Sequence, residues 1–446
     1  MKTWLSFFFG VFFLYGYSQS STEQKIDEYL GILQKNEKLS GVVLVMHKEK
    51  PVYKKAFGYA NREWRVENTI DTRFCLASVT KQFTAMVIMQ MVQEGKLKLD
   101  GKISDYLPYY RKDIGEKVTI HQLLIHTSGI PNYTDLDSFM IRDARLFFTT
   151  EEFVKKYCSR DLEFEPGAKQ QYNNSAYFIL GAIIEQLTEK TYAQVVKENI
   201  FDPLGMKNSG YFFNEMLIEK RATGYTLGED TLENAEPIDF VAGFSAGALY
   251  STVEDLYLWD RALYSQKLVH KPWLDSLFRN HKNGFGYGWF IDEWFGKKCI
   301  HHSGGVNGFS THIARMVNDD ICIVTLMNYD FGAAGRINKT IAAILLGEKY
   351  ELPVSHTEIQ LSEEAVKKYT GEYELSPDFK IVITSKGNKL YCQATGQPRF
   401  RAYAEAENKF FLKIVEASMT FETDKKGNVT GMTLHQGGDQ KIKKVK

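Results

Sequence analysis

The chain has 446 residues, 44% of them hydrophobic and 25% charged, with lysine plus arginine equal to aspartate plus glutamate at 55 each. That balance excludes the basic excess a nucleic-acid partner calls for, and the length allows roughly two or three domains around a large core. The cysteines, Cys75, Cys158, Cys299, Cys322 and Cys392, are scattered, with neither metal-ligand spacing nor a disulfide framework.

Residues 1–18 read as a secretory signal peptide. Lys2 precedes the apolar run Trp4 to Tyr15, and Gly16-Tyr17-Ser18 supplies a small-x-small end. The run falls short of the ~20 apolar residues a membrane span needs. Cleavage near Ser18 and export follow, to the periplasm or beyond, with no stable membrane span in the mature chain. A charged amphipathic helix is predicted from Thr22 to Lys38. Gly41 to Met46 and Pro51 to Tyr59 read as a hairpin turning at Lys48-Glu49-Lys50.

The stretch Phe74 to Ala85 reads as the start of a buried helix. Phe83, Val87 and Met91 form its apolar face, Ile88 and Val92 widen it, and Gly95 closes it. Ser78 and Lys81 then share one face, one turn apart. That spacing lets an amine take the proton of a hydroxyl, and a serine is a poor nucleophile until a base activates it. Cys75 reads as a small buried apolar residue rather than a nucleophile. The next short helix carries His121 to Pro131, and His126, ahead of Thr-Ser-Gly, is expected to bond backbone at a helix end.

Pro166-Gly167 marks a turn, and a helix is predicted from Asn174 to Leu187. Tyr172 and Asn174 fall on the loop just ahead of it, where the Tyr172 phenol is a candidate proton carrier. Gly243-Phe244-Ser245-Ala246-Gly247 matches the nucleophile elbow of α/β-hydrolases. That elbow needs a buried strand before the serine and a helix starting at it. Pro237 to Phe240 makes a poor strand and the helix starts after Thr252, so Ser245 reads as part of a glycine-rich turn.

Between Phe285 and Asn328 the texture changes to strands: Gly286 to Ile291, Lys298 to His302, Phe309 to Val317 and Ile321 to Met327, with a hairpin turn at Asn318-Asp319-Asp320. His301 and His302 are neighbours on a strand and so point to opposite faces, which argues against a metal site. Nothing in the sequence calls for a cofactor. A helix from Ala333 to Leu346 ends at Gly347, and a polar connector follows. From Leu361 the chain reads as a separate β domain, a meander or small barrel.

Ser78-x-x-Lys81, Tyr172-x-Asn174 and His302-Ser303-Gly304 occur in the order of three active-site motifs. Together they resemble the serine β-lactamase and penicillin-binding-protein superfamily, in its class C and DD-peptidase branch, over roughly residues 25–345. Leu123 to Gly129, Pro203 to Met206 and Gly247 to Thr252 match phrases usual in that family. The last domain resembles the β-barrel appendage often attached to such hydrolases. The resemblance implies an α+β fold, one antiparallel sheet flanked by helices beside a helical region, followed by a small all-β domain. The expected organisation is a signal peptide over 1–18, a hydrolase domain over 22–350, a linker over 351–360 and a barrel-like domain over 361–446.

Carried onto these positions, the resemblance makes Ser78 the nucleophile of an acyl-enzyme, with Lys81 and Tyr172 sharing the base and acid work. A free lysine titrates near pKa ~10.4, so holding it neutral at pH 7 takes roughly 4.6 kcal/mol, and a proton-sharing phenol lessens that need. The N–H groups of Ser78 and Gly305 would form the oxyanion hole, and Asn174, Ser303 and Gly304 would hold the substrate. His302 stands where β-lactamases usually carry lysine, and a neutral imidazole offers no permanent cation to a substrate carboxylate. The expected activity is therefore that of a peptidase, of the DD-carboxypeptidase or D-amino-acid type, or of an esterase. Its substrate would be a small peptide, ester or β-lactam-like molecule, with peptidoglycan as one source. A class C-like β-lactamase, an α/β-hydrolase using Ser245 and a non-catalytic penicillin-binding sensor are the alternatives.

Overall fold

A computed structural model describes residues 9–136 and 139–446, and they divide into two units. The first takes in the chain through Glu28 with Ser40–Tyr225 and Ala235–Glu351. The second is made of Tyr29–Leu39, Thr226–Asn234 and Leu352–Lys446. The expected signal segment lies outside the described residues up to position 8. From there helix α1 (Phe9–Lys35) starts well before the Thr22 expected from sequence. Among the described residues no helix is long and apolar enough to cross a membrane.

The first unit is built on a six-stranded antiparallel sheet. Its strands are β1 (Gly41–His47), β2 (Lys50–Phe57), β3 (Phe290–Trp294), β4 (Lys297–Val306), β5 (Phe309–Met316) and β6 (Ile321–Met327), in the order β3-β4-β5-β6-β1-β2. β5 and β6 are buried at every position because both sheet faces are covered. Arg315 faces α4 (Val253–Ala262) through Asp260, and His312, of opposite parity on β5, faces α5 (Ala334–Leu346) through Asn338. Lys48 and Glu49 turn the β1–β2 hairpin with φ of 51° and 59°, the doubly left-handed geometry that matches strand twist.

Helix α2 (Thr80–Gln93) runs inside this unit beside α3 (Asn174–Thr188). Every α2 residue from Thr80 to Met91 is buried, polar ones included, so the expected single apolar face is replaced by a helix enclosed all round. One expected strand is misplaced. Gly286 to Trp289 form a turn, with Gly288 at φ 75° against the Lys81 carbonyl, and pairing begins only at Phe290. Tyr287 and Trp289 alternate as a strand would, but they are buried by packing rather than by a ladder.

In the second unit eight antiparallel strands close into a barrel: β7 (Gly371–Ser376), β8 (Phe379–Lys386), β9 (Lys389–Ala394), β10 (Phe400–Ala406), β11 (Lys409–Leu412), β12 (Ser418–Thr423), β13 (Val429–His435) and β14 (Asp439–Lys444). Closure removes both sheet edges. Tyr369, Tyr373, Phe410, Phe421, Met419 and Met432 fill the interior. Asp230 accepts the Tyr391 hydroxyl at 2.7 Å and pairs with Lys389 at 3.2 Å, fastening Thr226–Asn234 to the barrel wall. All five cysteines are free and buried.

Candidate active site

Ser78 sits in a tight turn, Ala77–Val79, two residues ahead of α2 rather than on its first residue. Ala77 adopts φ 47°, a left-handed conformation that costs a β-carbon-bearing residue energy and persists only where the surroundings enforce it. They do so from two sides. The Leu76 N–H donates to Leu249 at 2.7 Å, and the Leu76 carbonyl accepts from the Thr311 hydroxyl of β5 at 2.8 Å. Strand β4 passes this turn at Gly304. A β-carbon there would lie 2.2 Å from the Leu76 oxygen, so only glycine lets the strand and the serine turn approach this closely.

Lys81 is fully buried. Its ammonium donates to Ser78 Oγ at 3.0 Å, Asn174 Oδ1 at 2.8 Å and the Ala246 carbonyl at 2.9 Å. It also lies 4.9 Å from the centre of the Tyr172 ring. None of these partners is a carboxylate, and burial drives the lysine well below its ordinary pKa. Burial also raises the pKa of the Tyr172 phenol, with the Ser78 hydroxyl pulling the other way. Among the described residues that phenol is sealed from solvent without a well-formed hydrogen bond.

The loop holding Tyr172 is fixed by polar contacts. Asn173, not Asn174, caps α3, its side chain accepting from Ala176 N, so Asn174 is the first helical residue rather than part of the loop. The Asn173 N–H donates to His126 Nδ1 at 3.0 Å. The Asn174 N–H donates to Asn132 Oδ1 at 2.9 Å, and its side-chain amide donates to Thr134 at 3.1 Å. His126 lies beyond its short helix (Ile120–Leu124) at φ 60°, with its ring 4.6 Å from that of Tyr172. Burial, then the Lys81 charge, lowers its pKa to about 3, so it is a neutral backbone anchor.

On β4, His302 and His301 face opposite ways. The His302 ring stacks on Phe290 at 4.6 Å and lies 6.1 Å from Tyr172, and its Nδ1 donates to the Ser303 carbonyl at 2.6 Å. Burial first, then Lys81, keeps it neutral. His301 packs instead on Trp294 and His312. Gly305 is exposed beside Ser78 in a cleft of about 460 Å³ whose walls include Ala77, Asn174, Phe240, Gly247, Val306 and Asp330. Ser303 is exposed but stands outside the residues lining that cleft.

Ser245 is elsewhere in function if not in distance. It is fully buried in the short helix Phe244–Gly247, and its hydroxyl donates to the Tyr177 carbonyl at 2.9 Å. The glycine-rich stretch serves the site through its backbone: Gly243, Ala246 and Gly247 line the cleft, and Ala246 supplies the Lys81 acceptor. Sequence reasoning missed Ala246, Asn132, Thr134 and Asp330. For the loop residues the only signal was a polar turn after Pro131, which many turns share.

A family model described as Beta-lactamase matches residues 23–348, and one described as a domain of unknown function (DUF3471) matches residues 355–444. Penicillin-binding protein 4* of Bacillus subtilis is 27% identical over 450 residues, covering 95% of this chain and 98% of its own length. The octameric penicillin-binding protein homologue from Pyrococcus abyssi superposes with a TM-score of 0.66 at 26% identity, over 94% of this chain and 99% of that one. A penicillin-binding protein from Bacillus halodurans gives a TM-score of 0.63 at 30% identity, over 71% of this chain and 98% of that one.

Proposed function

The chain belongs to the β-lactamase family of serine hydrolases, and from that premise we propose that it cleaves a small peptide, amide or ester through an acyl-enzyme on Ser78. The observation that carries this reading is the contact between Lys81 and Ser78. A lysine buried among neutral oxygens, 3.0 Å from a serine hydroxyl that opens into a cleft, is placed to act as a base. Lys81 takes the Ser78 proton as Oγ attacks the substrate carbonyl carbon. The N–H groups of Ser78 and Gly305 receive the oxyanion, where each donor contributes about 3 to 4 kcal/mol. Tyr172 passes a proton to the leaving group as the tetrahedral intermediate collapses. In deacylation water attacks the ester and gives a proton to the same Lys81–Tyr172 pair, where Lys81 still holds the proton taken from Ser78 and Tyr172 has given one up. The pair returns one proton to Ser78 Oγ as the ester bond breaks and the acid leaves. Asn174, Ser303 and Gly304 hold the substrate, and His302 packs the Tyr172 side of the site.

Two observations favour a peptidase, amidase or esterase over an efficient β-lactamase. His302 is held neutral where a cation would meet a β-lactam carboxylate. The Lys81 partners also include no carboxylate to drive a deacylating water. The charged start and short apolar run of residues 1–18 support export, and the relatives named for penicillin binding support a β-lactam as a probe.

The test is intact-mass spectrometry after exposure to a fluorophosphonate and, separately, to a penicillin. Wild type and Ser245→Ala are expected to gain the fluorophosphonate mass and Ser78→Ala to gain none. An adduct lost only in Ser245→Ala overturns the assignment. A penicilloyl adduct that decays within seconds instead points to a lactamase, and one that never decays, with no turnover of any ester, to a sensor.

A further inference from the structure

One wall of the cleft ends in an acid that no step of the reaction uses. Asp330 lies just beyond β6, its backbone N–H held by the Tyr225 carbonyl at 3.2 Å. Its Oδ2 accepts the N–H of Gly308, at the tip of the β4–β5 hairpin, at 3.0 Å. Among the described residues Asp330 joins no ion pair, and its second oxygen has no hydrogen-bond partner. Among the described residues it is the only formally charged side chain on the cleft walls. The same walls carry the apolar Ile238, Phe240, Ala242 and Val306, with the polar Asn307 next to Val306.

Strand direction assigns this arm to one half of the substrate. Counting along β4, His302 and Ser303 precede Gly305, and Val306, Asn307 and Gly308 follow it. Tyr172, the proposed proton donor to the leaving group, lies at the His302 end. The leaving group therefore departs towards Tyr172 and His302, and the acyl portion lies in the cleft, along Val306 towards Asp330. Gly308 stands on the two-residue turn beyond Val306, about two strand steps, or ~7 Å, further along the hairpin than Gly305. That exceeds the reach of an α-amino group on the scissile carbonyl, but it suits the end of an extended side chain.

We propose that the acyl half of the substrate carries a cationic group, an ammonium or guanidinium, on an apolar stem of several carbons, and that Asp330 selects it. The stem packs on Ile238, Phe240 and Val306 while the charged head meets the carboxylate, the amphipathic division that lysine and arginine side chains adopt. A substrate with an anionic acyl end meets Asp330 as a like charge and no compensating cation. This inference rests on the acyl-enzyme reading of Ser78 and adds the substrate's charge to it.

The test uses three p-nitrophenyl esters of matched length, with 6-aminohexanoyl, heptanoyl and adipoyl acyl groups, on wild type and Asp330→Asn. Asparagine keeps an oxygen acceptor for the Gly308 N–H and removes only the charge. Within each enzyme kcat/KM is divided by that of the heptanoyl ester, so folding losses cancel. In wild type the cationic ester is expected to exceed the anionic one by about 30-fold, falling to about 5-fold at high salt, where surface charge is screened. In Asp330→Asn the ratio is expected to fall to within about 3-fold of unity. A wild-type ratio near unity, or one unchanged by the substitution, overturns the proposal. Heptanoyl turnover that survives Ser78→Ala instead overturns the reading of the site, so the two failures are distinguishable.

Discussion

Lys81 and Arg315 are both buried cations within the same unit, and they are treated in opposite ways. Arg315 donates to Asp260 Oδ1 at 2.7 Å and to the Asp260 carbonyl at 3.2 Å, with its guanidinium 4.8 Å from the ring centre of Tyr264. Asp260, fully buried, also accepts from Arg261 at 2.6 Å, and Arg261 reaches Asp320 at 2.7 Å. Each charge in that cluster meets an opposite one. Lys81 meets three neutral oxygens, Ser78 Oγ, Asn174 Oδ1 and the Ala246 carbonyl. A compensated ion keeps its charge and holds elements together. An uncompensated one gives up its proton readily, which is what a base needs at neutral pH.

The contrast is sharpest on substitution. Lys81→Met removes the base at similar volume and is expected to slow fluorophosphonate labelling by roughly 10⁴-fold. Its unfolding free energy in urea should change by no more than about 1 to 2 kcal/mol, since a buried polar amine leaves together with its hydrogen bonds. Tyr172→Phe is expected to slow ester turnover by about 10² to 10³-fold, with the loss in kcat rather than KM. Asp260→Asn should behave in the opposite sense. It strands Arg315 and is expected to cost about 3 to 5 kcal/mol in urea unfolding, while labelling per folded molecule stays near wild type. A Lys81→Met that unfolds the protein, or an Asp260→Asn that blocks labelling without destabilising it, breaks the comparison.

What the sequence revealed follows the same division between side chains and backbone. Ser78 and Lys81 were legible because a three-residue spacing on a helix places two side chains on one face. Tyr172 stood out only in combination with that pair, since a tyrosine ahead of a helix is as readily a packing residue. The left-handed Ala77 and the Ala246 carbonyl leave no mark in residue identity, since any residue has a carbonyl and alanine seldom signals positive φ. Tyr287 and Trp289 misled because alternation reports burial, not pairing, and the flanking Gly286 and Gly288 were the better signal of a turn. Closure of the barrel depends on β7 meeting β14, a pairing between the ends of the domain that local periodicity does not contain.

A smaller effect separates a third ionisable group from both cations. His126 is buried and neutral, its pKa lowered to about 3 from an ordinary 6.5, first by burial and then by Lys81. Between those values the unfolded chain binds a proton that the folded chain refuses. The contribution of His126 is therefore whole above pH 6.5 and is lost as pH falls towards 3. The loss amounts to about 1.4 kcal/mol per pH unit. His126→Asn, which tolerates the φ of 60°, is expected to flatten the stability profile by that slope between about pH 6 and about pH 4. An unchanged slope, measured by urea unfolding, would place the titration in other buried histidines such as His302 and His312.

The smallest expected effect concerns the two serines that carry hydrolase motifs. Ser78 opens into the cleft with a base beside it. Ser245 Oγ points into the core at the Tyr177 carbonyl, and a β-carbon on Gly181 would fall 2.0 Å from it. Ser245→Ala deletes one buried neutral hydrogen bond and a single oxygen, so it is expected to cost about 1 kcal/mol in urea unfolding. Labelling at Ser78 should keep its wild-type rate, because the Ala246 carbonyl that Lys81 uses belongs to the backbone and survives the change. If Ser245→Ala instead slowed labelling tenfold or more with a normal unfolding midpoint, the short helix Phe244–Gly247 would be setting the reactivity of Lys81 through that carbonyl. The neutral shell around the lysine would then extend to a hydroxyl that never touches it.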